Sequence, residues 1–299
     1  MGKIAFVYPG QGTQYVGMGK ELYEKNKRAK ELFDKIFNSL DIDLKKVMFE
    51  GPEDLLKRTD YTQPAIVSLS LVLTELLKEK GIEPDYVAGH SVGEFAAFGG
   101  ANYLSIEDAV KLVAARGRIM REVAEKVNGS MAAVLGMNAE KIKEILKSVD
   151  GVVEAVNFNE PNQTVIAGSK EAVEKACVVL KEAGAKRAIP LAVSGPFHSS
   201  LMKEAGEKLK EEAQKYTFNV GKVKIVANTN AELLESDSEV KDEIYRQSFG
   251  PVKWVDTINK LKSLGVTKIY EIGAGKVLSG LIKKIDKEIE VENIELIEA

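Results

Sequence analysis

The pentapeptide Gly89-His90-Ser91-Val92-Gly93 is the feature that most constrains the fold of this chain. The apolar residues 86–88 before it predict a strand, and the stretch that starts Glu94-Phe95-Ala96 predicts a helix. Glycines around a serine allow the tight strand-to-helix turn called a nucleophile elbow, which exposes the serine hydroxyl at the end of a sheet. The turn would also place the Val92 N–H at a helix N-terminus, where it can stabilise an oxyanion. The alternative is that Ser91 only caps the helix.

Strands and amphipathic helices alternate along most of the sequence, which is typical of a parallel α/β sheet. One helix start is especially clear, because Ser105 and Asp108 form a capping-box-like pair ahead of an apolar stripe. Between about residues 129 and 193 the order changes to β-α-β-β-α-β, the ferredoxin-like pattern. Since the ends of such a module lie close together, we expect a large α/β domain of residues 1–127 and 195–299, interrupted by a small ferredoxin-like domain of residues 128–194.

Composition and charge narrow the range of partners and compartments. Hydrophobic residues make up 44% of the chain and charged residues 29%, as in an ordinary globular protein. The net charge of −3 comes without a block of like charges, which argues against a nucleic acid or a membrane as partner. The longest apolar stretch, residues 65–77, is too short and too polar to span a bilayer, and no stretch predicts a signal peptide. We therefore expect a cytoplasmic protein.

Cysteine and histidine are too scarce to build a metal centre. Cys177 is the single cysteine, and the chain has two histidines. These numbers exclude an intramolecular disulfide and disfavour zinc or iron binding. Because Cys177 falls in a helical apolar pattern, we expect it to fill a core position.

A serine nucleophile needs a general base, and the two histidines are the candidates. His90 is adjacent to Ser91 and would point to a different side of the turn, whereas His198 lies in the turn-rich loop 194–200. The alternative is that His198 packs against the helix that follows. An α/β-hydrolase usually carries its histidine near the chain end, after an acidic residue, and here no acidic residue stands out. A backbone carbonyl could orient the imidazole equally well.

Arg116 rises from the apolar face of the helix predicted to start at Ile106. A guanidinium in an apolar stripe needs an anion, because a buried unpaired charge is strongly destabilising. The sequence leaves two possibilities open: a carboxylate of this chain, or the carboxylate of a bound substrate. The second would use the planar guanidinium for bidentate recognition.

Three further segments carry glycines or neutral amides that suit a binding pocket. The segment Pro9–Gln14 follows the first strand but lacks the fingerprints of a dinucleotide site and of a P-loop. NAD and ATP are therefore poor candidates. Thr62-Gln63-Pro64 and Asn157-Phe158-Asn159 are expected in loops or at strand ends, where ordinary turn chemistry is the alternative.

Taken together, these motifs resemble those of the malonyl-CoA:acyl carrier protein transacylase family, which loads malonyl units for fatty acid synthesis. The resemblance covers nearly the whole chain in order. It rests on the segments Gly10-Gln11-Gly12, Thr62-Gln63-Pro64-Ala65, Gly89–Glu94, Arg116-Gly117, Val156–Asn159, Gly195–Ser199 and Tyr270–Gly273. It implies an α/β-hydrolase-like core with a parallel sheet and an inserted ferredoxin-like subdomain.

The resemblance also implies catalytic roles. Ser91 would be acylated, with His198 as its base. The backbone N–H groups of Gln11 and Val92 would form the oxyanion hole. The main-chain carbonyl of Gln247 would orient the histidine, which explains why no acidic third residue stands out.

Substrate binding is implied in the same way. Arg116 falls on the position that binds the substrate carboxylate in this family. The residue before His198 resembles the variant of the family that selects malonyl groups. The pocket would be lined by Gln63, Asn157, Asn159 and Phe197.

The sequence therefore predicts an acyltransferase that moves a malonyl group from malonyl-CoA to the phosphopantetheine thiol of acyl carrier protein, through a malonyl-serine intermediate. We expect no metal or redox cofactor, and a monomer. One rival is a serine thioesterase with the same Ser-His pair, which would not need Arg116. A second rival is a non-catalytic subunit that binds carrier protein, against which the intact pair argues. The choice between fatty acid and polyketide synthesis stays open.

Overall fold

A computed structural model describes residues 2–297 of the chain. The strands are β1 (Lys3–Tyr8), β2 (Tyr86–Gly89), β3 (Gly129–Leu135), β4 (Val153–Glu160), β5 (Gln163–Ser169), β6 (Arg187–Pro190), β7 (Lys224–Ile225), β8 (Val266–Ile272) and β9 (Glu290–Ile294). The helices are α1 (Lys20–Lys25), α2 (Lys27–Asn38), α3 (Leu44–Glu50), α4 (Glu53–Lys57), α5 (Thr59–Glu79), α6 (Gly93–Gly100), α7 (Ile106–Ala124), α8 (Ala139–Leu146), α9 (Lys170–Glu182), α10 (Lys203–Ala213), α11 (Asp237–Gln247), α12 (Trp254–Ser263) and α13 (Val277–Ile285).

The larger sheet is parallel and has the strand order β7-β2-β1-β8-β9. Side chains of its central strand β1 alternate between two cores. Phe6 and Tyr8 enter the core that contains α5 and α7, and Ala5 and Val7 enter a second core with α12 and α13. All four are fully buried, as expected for a parallel strand that helices cover on both faces. The parallel α/β sheet predicted from the sequence is confirmed.

The smaller sheet is antiparallel, with the strand order β4-β5-β3-β6. The helices α8 and α9 cover it and close a separate hydrophobic core. Cys177 lies buried in that core, where its helical apolar pattern placed it. The chain therefore has a mixed α/β fold with two sheets of different type.

The two sheets are joined through the segment between α11 and α12. Its Val252 N–H donates to the Val156 carbonyl at 2.8 Å, and the Phe158 N–H donates to the Val252 carbonyl at 2.9 Å. This pairing lays the segment alongside β4. The position of this segment, which belongs to the same part of the chain as the larger sheet, therefore depends on the smaller sheet.

The structure corrects one local expectation. Thr62, Gln63 and Pro64 were expected in a loop or at a strand end, but they lie in the first two turns of α5. Pro64 removes one backbone hydrogen bond from that helix. The buried apolar residues that follow, packed against α7, outweigh this loss, because tertiary packing supplies most of the stability of a helix. Within residues 2–297, no helix has both the length and the apolarity that a membrane span would require.

Gly93 makes a testable contribution to the fold. A Cβ atom there would lie 2.1 Å from the Tyr8 carbonyl oxygen, so Gly93→Ala should lower the free energy of unfolding by about 1–3 kcal/mol or more. The matched control is Gly280→Ala in α13, where an added Cβ meets no atom within 4 Å. That change should be neutral or stabilise by up to about 1 kcal/mol. Urea denaturation measures both, and equal stabilities of the two variants would contradict the account.

Candidate active site

Ser91 occupies the sharp turn between β2 and α6. Its φ of 53° lies in the left-handed region, which non-glycine residues rarely adopt. The turn needs glycine at position 89, because a Cβ there would lie 1.9 Å from the carbonyl carbon of Gly93. The Ser91 N–H donates to Asn228 Oδ1 at 2.8 Å, and Asn228 Nδ2 donates to the Gly89 carbonyl. The strained turn is therefore held from outside by one buried asparagine.

His198 faces this serine. The distance from Ser91 Oγ to His198 Nε2 is 2.7 Å. On the other side of the ring, Nδ1 lies 2.8 Å from the Gln247 carbonyl oxygen and 3.2 Å from the Gly250 carbonyl oxygen. Because carbonyls only accept, Nδ1 carries the proton and Nε2 is left to accept from the serine hydroxyl.

The environment keeps the imidazole neutral. His198 is buried, and burial together with the nearby positive charge of Arg116 lowers its pKa to about 3. At neutral pH the ring is therefore uncharged, with its proton on Nδ1, and Nε2 can take up a proton from Ser91. The carbonyls of Gln247 and Gly250 orient the ring as an acidic residue does in other serine enzymes, but without adding a negative charge.

Arg116 projects from α7 into the same site, with 1% of its surface exposed. Its Nη1 donates to Gln63 Oε1 and its Nη2 to Gln247 Oε1, both at 2.8 Å. Nη2 also lies 3.4 Å from Ser91 Oγ, and the guanidinium packs 4.9 Å from the centre of the Phe95 ring. Burial lowers the pKa of Arg116 to about 9, although the nearby Glu94 carboxyl acts in the opposite direction, so the group is still positively charged at neutral pH.

The hydrogen-bond partners of this charge are neutral. Of the two possibilities that the sequence left open, an internal carboxylate is not found: no side-chain carboxylate within residues 2–297 forms an ion pair with Arg116. Its Nε is buried without a hydrogen-bond partner among the residues that the structure describes. The site therefore holds a positive charge that is solvated by two amides and a ring, and that is free to meet an anion.

Gln11 and Val92, whose backbone N–H groups were expected to form an oxyanion hole, lie in the same cleft as Ser91. Gln11 belongs to the loop after β1, and Val92 is next to Ser91. Neither N–H donates to an acceptor among the described residues 2–297. The loop can approach the elbow because Gly10 has no side chain; a Cβ there would lie 2.8 Å from the His90 carbonyl oxygen.

The cleft has a volume of about 400 Å³. It brings together most of the residues predicted from the sequence: Gln11, Gln63, Ser91, Val92, Arg116, Asn157, Phe197 and His198. Asn157 Oδ1 is buried without a hydrogen-bond partner in the described part of the chain. Asn159 lines an adjoining recess, and its Oδ1 lies 2.7 Å from His90 Nε2. His90 thus points away from the serine, as its place in the pentapeptide predicted.

Sequence reasoning missed three buried polar residues behind the cleft: Asn228, Glu94 and the side-chain amide of Gln247. Asn228 stands in no recognisable motif, since it follows a strand of only two residues. Glu94 did leave a signal, because it is the one charged residue in the otherwise apolar α6. A charged side chain in such a helix is expected to be buried and hydrogen-bonded.

Chemically, this arrangement suits one class of reaction, the transfer of an acyl group by way of a serine ester. The chain is an enzyme of the acyl-transfer class. Comparison with known proteins agrees with this conclusion and assigns the chain to one family within that class.

A family model described as acyl transferase domain matches residues 5–293. The chain is 46% identical over 292 residues to the malonyl CoA-acyl carrier protein transacylase of Bacillus subtilis (strain 168), covering 97% of this chain and 92% of that protein. Among solved structures, an acyl carrier protein S-malonyltransferase from Vibrio cholerae has a TM-score of 0.93 and 38% identity, covering 98% of this chain and 96% of the other. A malonyl-transacylase in complex with its type II polyketide synthase acyl-carrier protein has a TM-score of 0.94 and 37% identity, with the same coverage.

The chain belongs to the malonyl CoA-acyl carrier protein transacylase family. This confirms the resemblance found in the sequence motifs.

The protonation state of His198 can be measured directly. With a pKa of about 3, its ring should stay neutral from about pH 8 to about pH 5, with the proton on Nδ1 throughout. Nitrogen NMR of histidine-labelled protein reports both properties, and the signal lost in His198→Asn identifies the residue. A titration midpoint near the ordinary value of about 6.5 would show that the ring is solvated and contradict this geometry.

Proposed function

We propose that this chain transfers a malonyl group from malonyl-CoA to the phosphopantetheine thiol of acyl carrier protein, through a malonyl ester on Ser91. One observation carries the proposal: Ser91 Oγ lies 2.7 Å from a neutral histidine nitrogen and 3.4 Å from a buried guanidinium whose protein partners are neutral. The first contact serves a nucleophile, and the second serves a substrate that carries a carboxylate. The relatives named as malonyl CoA-acyl carrier protein transacylases support the same substrates.

In the first half-reaction, His198 Nε2 takes the hydroxyl proton as Ser91 Oγ attacks the thioester carbonyl of malonyl-CoA. The carbonyl oxygen becomes an oxyanion, which the N–H groups of Gln11 and Val92 stabilise. When the tetrahedral intermediate collapses, the carbon–sulfur bond breaks. The CoA sulfur leaves with the proton from His198, and the malonyl group stays on Ser91.

The second half-reaction runs the same steps in reverse with another thiol. His198 takes the proton from the phosphopantetheine thiol, whose sulfur attacks the ester carbonyl. The ester bond to Ser91 Oγ then breaks, and the proton returns from His198 to the serine. Since both half-reactions use one base and one oxyanion hole, the site suits ping-pong exchange between two thiols.

Arg116 selects the substrate in this proposal. Its guanidinium can form charge-assisted hydrogen bonds with the free carboxylate of a malonyl group, and an acetyl group offers no such partner. A thioesterase for neutral acyl chains would gain nothing from this buried charge. The amides of Gln63 and Gln247 stabilise the charge without neutralising it, so Arg116 keeps its attraction for the substrate.

The proposal also includes the residues that line the substrate pocket and the division of the chain into two parts. We assign Asn157, Asn159 and Phe197 to the walls of the substrate pocket, and Gln247 to the orientation of His198 through its backbone carbonyl. We assign residues 1–127 and 195–299, of which 1, 298 and 299 lie outside the described residues, to an α/β-hydrolase-like core, and residues 128–194 to a ferredoxin-like subdomain. A monomer without nucleic acid or membrane partners and a cytoplasmic location remain predictions from composition and charge.

The covalent step is tested by intact-mass analysis. Incubation with malonyl-CoA should add one malonyl group, and peptide mapping should place it on Ser91. Ser91→Ala should abolish the adduct, whereas the control Cys177→Ala should keep it, because Cys177 is buried in a different core. An adduct at Cys177, or an adduct that survives Ser91→Ala, would reject the serine ester.

The same sample tests the second half-reaction. When carrier protein with its phosphopantetheine arm is added to the malonylated enzyme, the added mass should leave Ser91 and appear on the carrier. If the ester is instead lost to water at the same rate with or without carrier, the chain is a hydrolase.

A further inference from the structure

Glu94 lies directly behind the site and is completely buried. Each oxygen of its carboxyl group accepts a hydrogen bond from an element of the site. Oε1 accepts from the Asn228 N–H at 2.9 Å, and Oε2 accepts from Gln247 Nε2 at 2.9 Å. Asn228 in turn holds the Ser91 N–H, and Gln247 holds Arg116. Glu94 itself is hydrogen-bonded neither to the serine hydroxyl nor to the guanidinium.

The side-chain amide of Gln247 is the link to Arg116. Its Nε2 donates to Glu94 Oε2 and, at 2.7 Å, to the Ser91 carbonyl oxygen. With both donor positions used on acceptors, Oε1 is turned toward Arg116 Nη2. The opposite amide orientation would bring an NH₂ group against the guanidinium, where two donors repel. Glu94, together with the Ser91 carbonyl, therefore holds the amide with its oxygen toward Arg116.

The protonation of Glu94 fits this role. Burial, together with the neighbouring Glu243 carboxyl, raises the pKa of Glu94 well above its usual range. Glu243 accepts instead from the Thr229 N–H and hydroxyl. Both Glu94 oxygens accept from N–H groups of the site, so the positions of these two acceptors, and not a negative charge, define the role of Glu94. Glu94 therefore acts by offering two acceptor oxygens, one to the Asn228 N–H and one to the Gln247 NH₂ group.

We propose that Glu94 is a positioning residue: through the Gln247 amide it holds the Arg116 guanidinium beside Ser91, in the place where the malonyl carboxylate binds. The inference rests on the proposed role of Arg116 in substrate binding. In this arrangement the buried carboxyl group of Glu94 orients the Gln247 amide, and that amide orients the guanidinium of Arg116.

The isosteric change Glu94→Gln tests this. A glutamine offers one acceptor where the Asn228 N–H and the Gln247 NH₂ group need two. The backbone N–H of Asn228 cannot turn, so the introduced amide should keep its oxygen there and set its NH₂ group against Gln247 Nε2. Because two facing donors repel, the Gln247 amide should shift away from its place beside Arg116. The ratio of malonyl to acetyl transfer, measured as kcat/KM for each substrate, should fall at least about tenfold, with acetyl transfer retained.

Three variants make the result decisive. Glu271→Gln is the matched control, because Glu271 is also fully buried and accepts from two backbone N–H groups, those of Leu278 and Ser279, at a helix start outside the site. It should lower the melting temperature without changing the ratio. Gln247→Met removes the amide but keeps the backbone carbonyl, and it should reproduce the loss of ratio. Adding Glu94→Gln to Gln247→Met should then change the ratio no further.

The outcomes separate this inference from the function on which it rests. Arg116→Ala should also lower the ratio at least about tenfold; if it does not, Arg116 does not bind the carboxylate and the proposed selection fails. If Arg116→Ala lowers the ratio but a folded Glu94→Gln leaves it unchanged, only the role of Glu94 is overturned. The role of Glu94 is also overturned if Glu271→Gln lowers the ratio of malonyl to acetyl transfer as much as Glu94→Gln does. Should Glu94→Gln not fold, an unchanged ratio in Gln247→Met overturns the inference.

Discussion

The positive charge of Arg116 is buried and forms no ion pair with a carboxylate of residues 2–297, and this constraint determines how the site is arranged. A buried charge is costly unless its environment solvates it. Here the solvation comes from Gln63 on α5, from Gln247 at the end of α11 and from the ring of Phe95 on α6, while Arg116 itself lies on α7. Four helices must therefore meet at one point. None of these partners is an anion, which supports the proposal that the charge binds a substrate carboxylate.

The same constraint explains how the base is built. A carboxylate next to His198 would lie close to Arg116 and would compete with an anionic substrate for its charge. The two carbonyls at Gln247 and Gly250 orient the imidazole without that competition. Gly250 lies in the segment that Val252 pairs with β4 of the smaller sheet, and Gln247 directly precedes that segment. The orientation of the histidine therefore depends on the smaller sheet as well.

Local sequence signals predicted much of this fold, and the limits of the prediction have physical causes. The capping pair at the start of α7 acts within one turn, and the Asp108 N–H does donate to Ser105 Oγ at 3.1 Å. The elbow was equally readable, because steric demands on glycine are local. The helical position of Gln63 could not be predicted in this way, because Pro64 indicates a loop. Only the packing of the following apolar turns against α7 makes the segment helical.

The polar residues behind the site could not be predicted from the sequence, because their contacts join residues that are far apart along the chain. Asn228 meets Ser91 across 137 positions of the chain, and Gln247 meets Glu94 across 153. No periodicity or spacing connects residues so far apart. The resemblance to a family supplied Gln247 as a carbonyl that orients the histidine, but its side-chain amide became visible only in three dimensions.

The claim that the buried charge is reserved for a substrate carboxylate is tested most directly by binding without chemistry. In the Ser91→Ala variant, isothermal titration should show malonyl-CoA binding at least about tenfold more tightly than acetyl-CoA, which corresponds to about 1.4 kcal/mol. Adding Arg116→Ala should make the two affinities equal. Equal affinities in Ser91→Ala alone would contradict the account, because they would mean that the guanidinium does not meet the carboxylate.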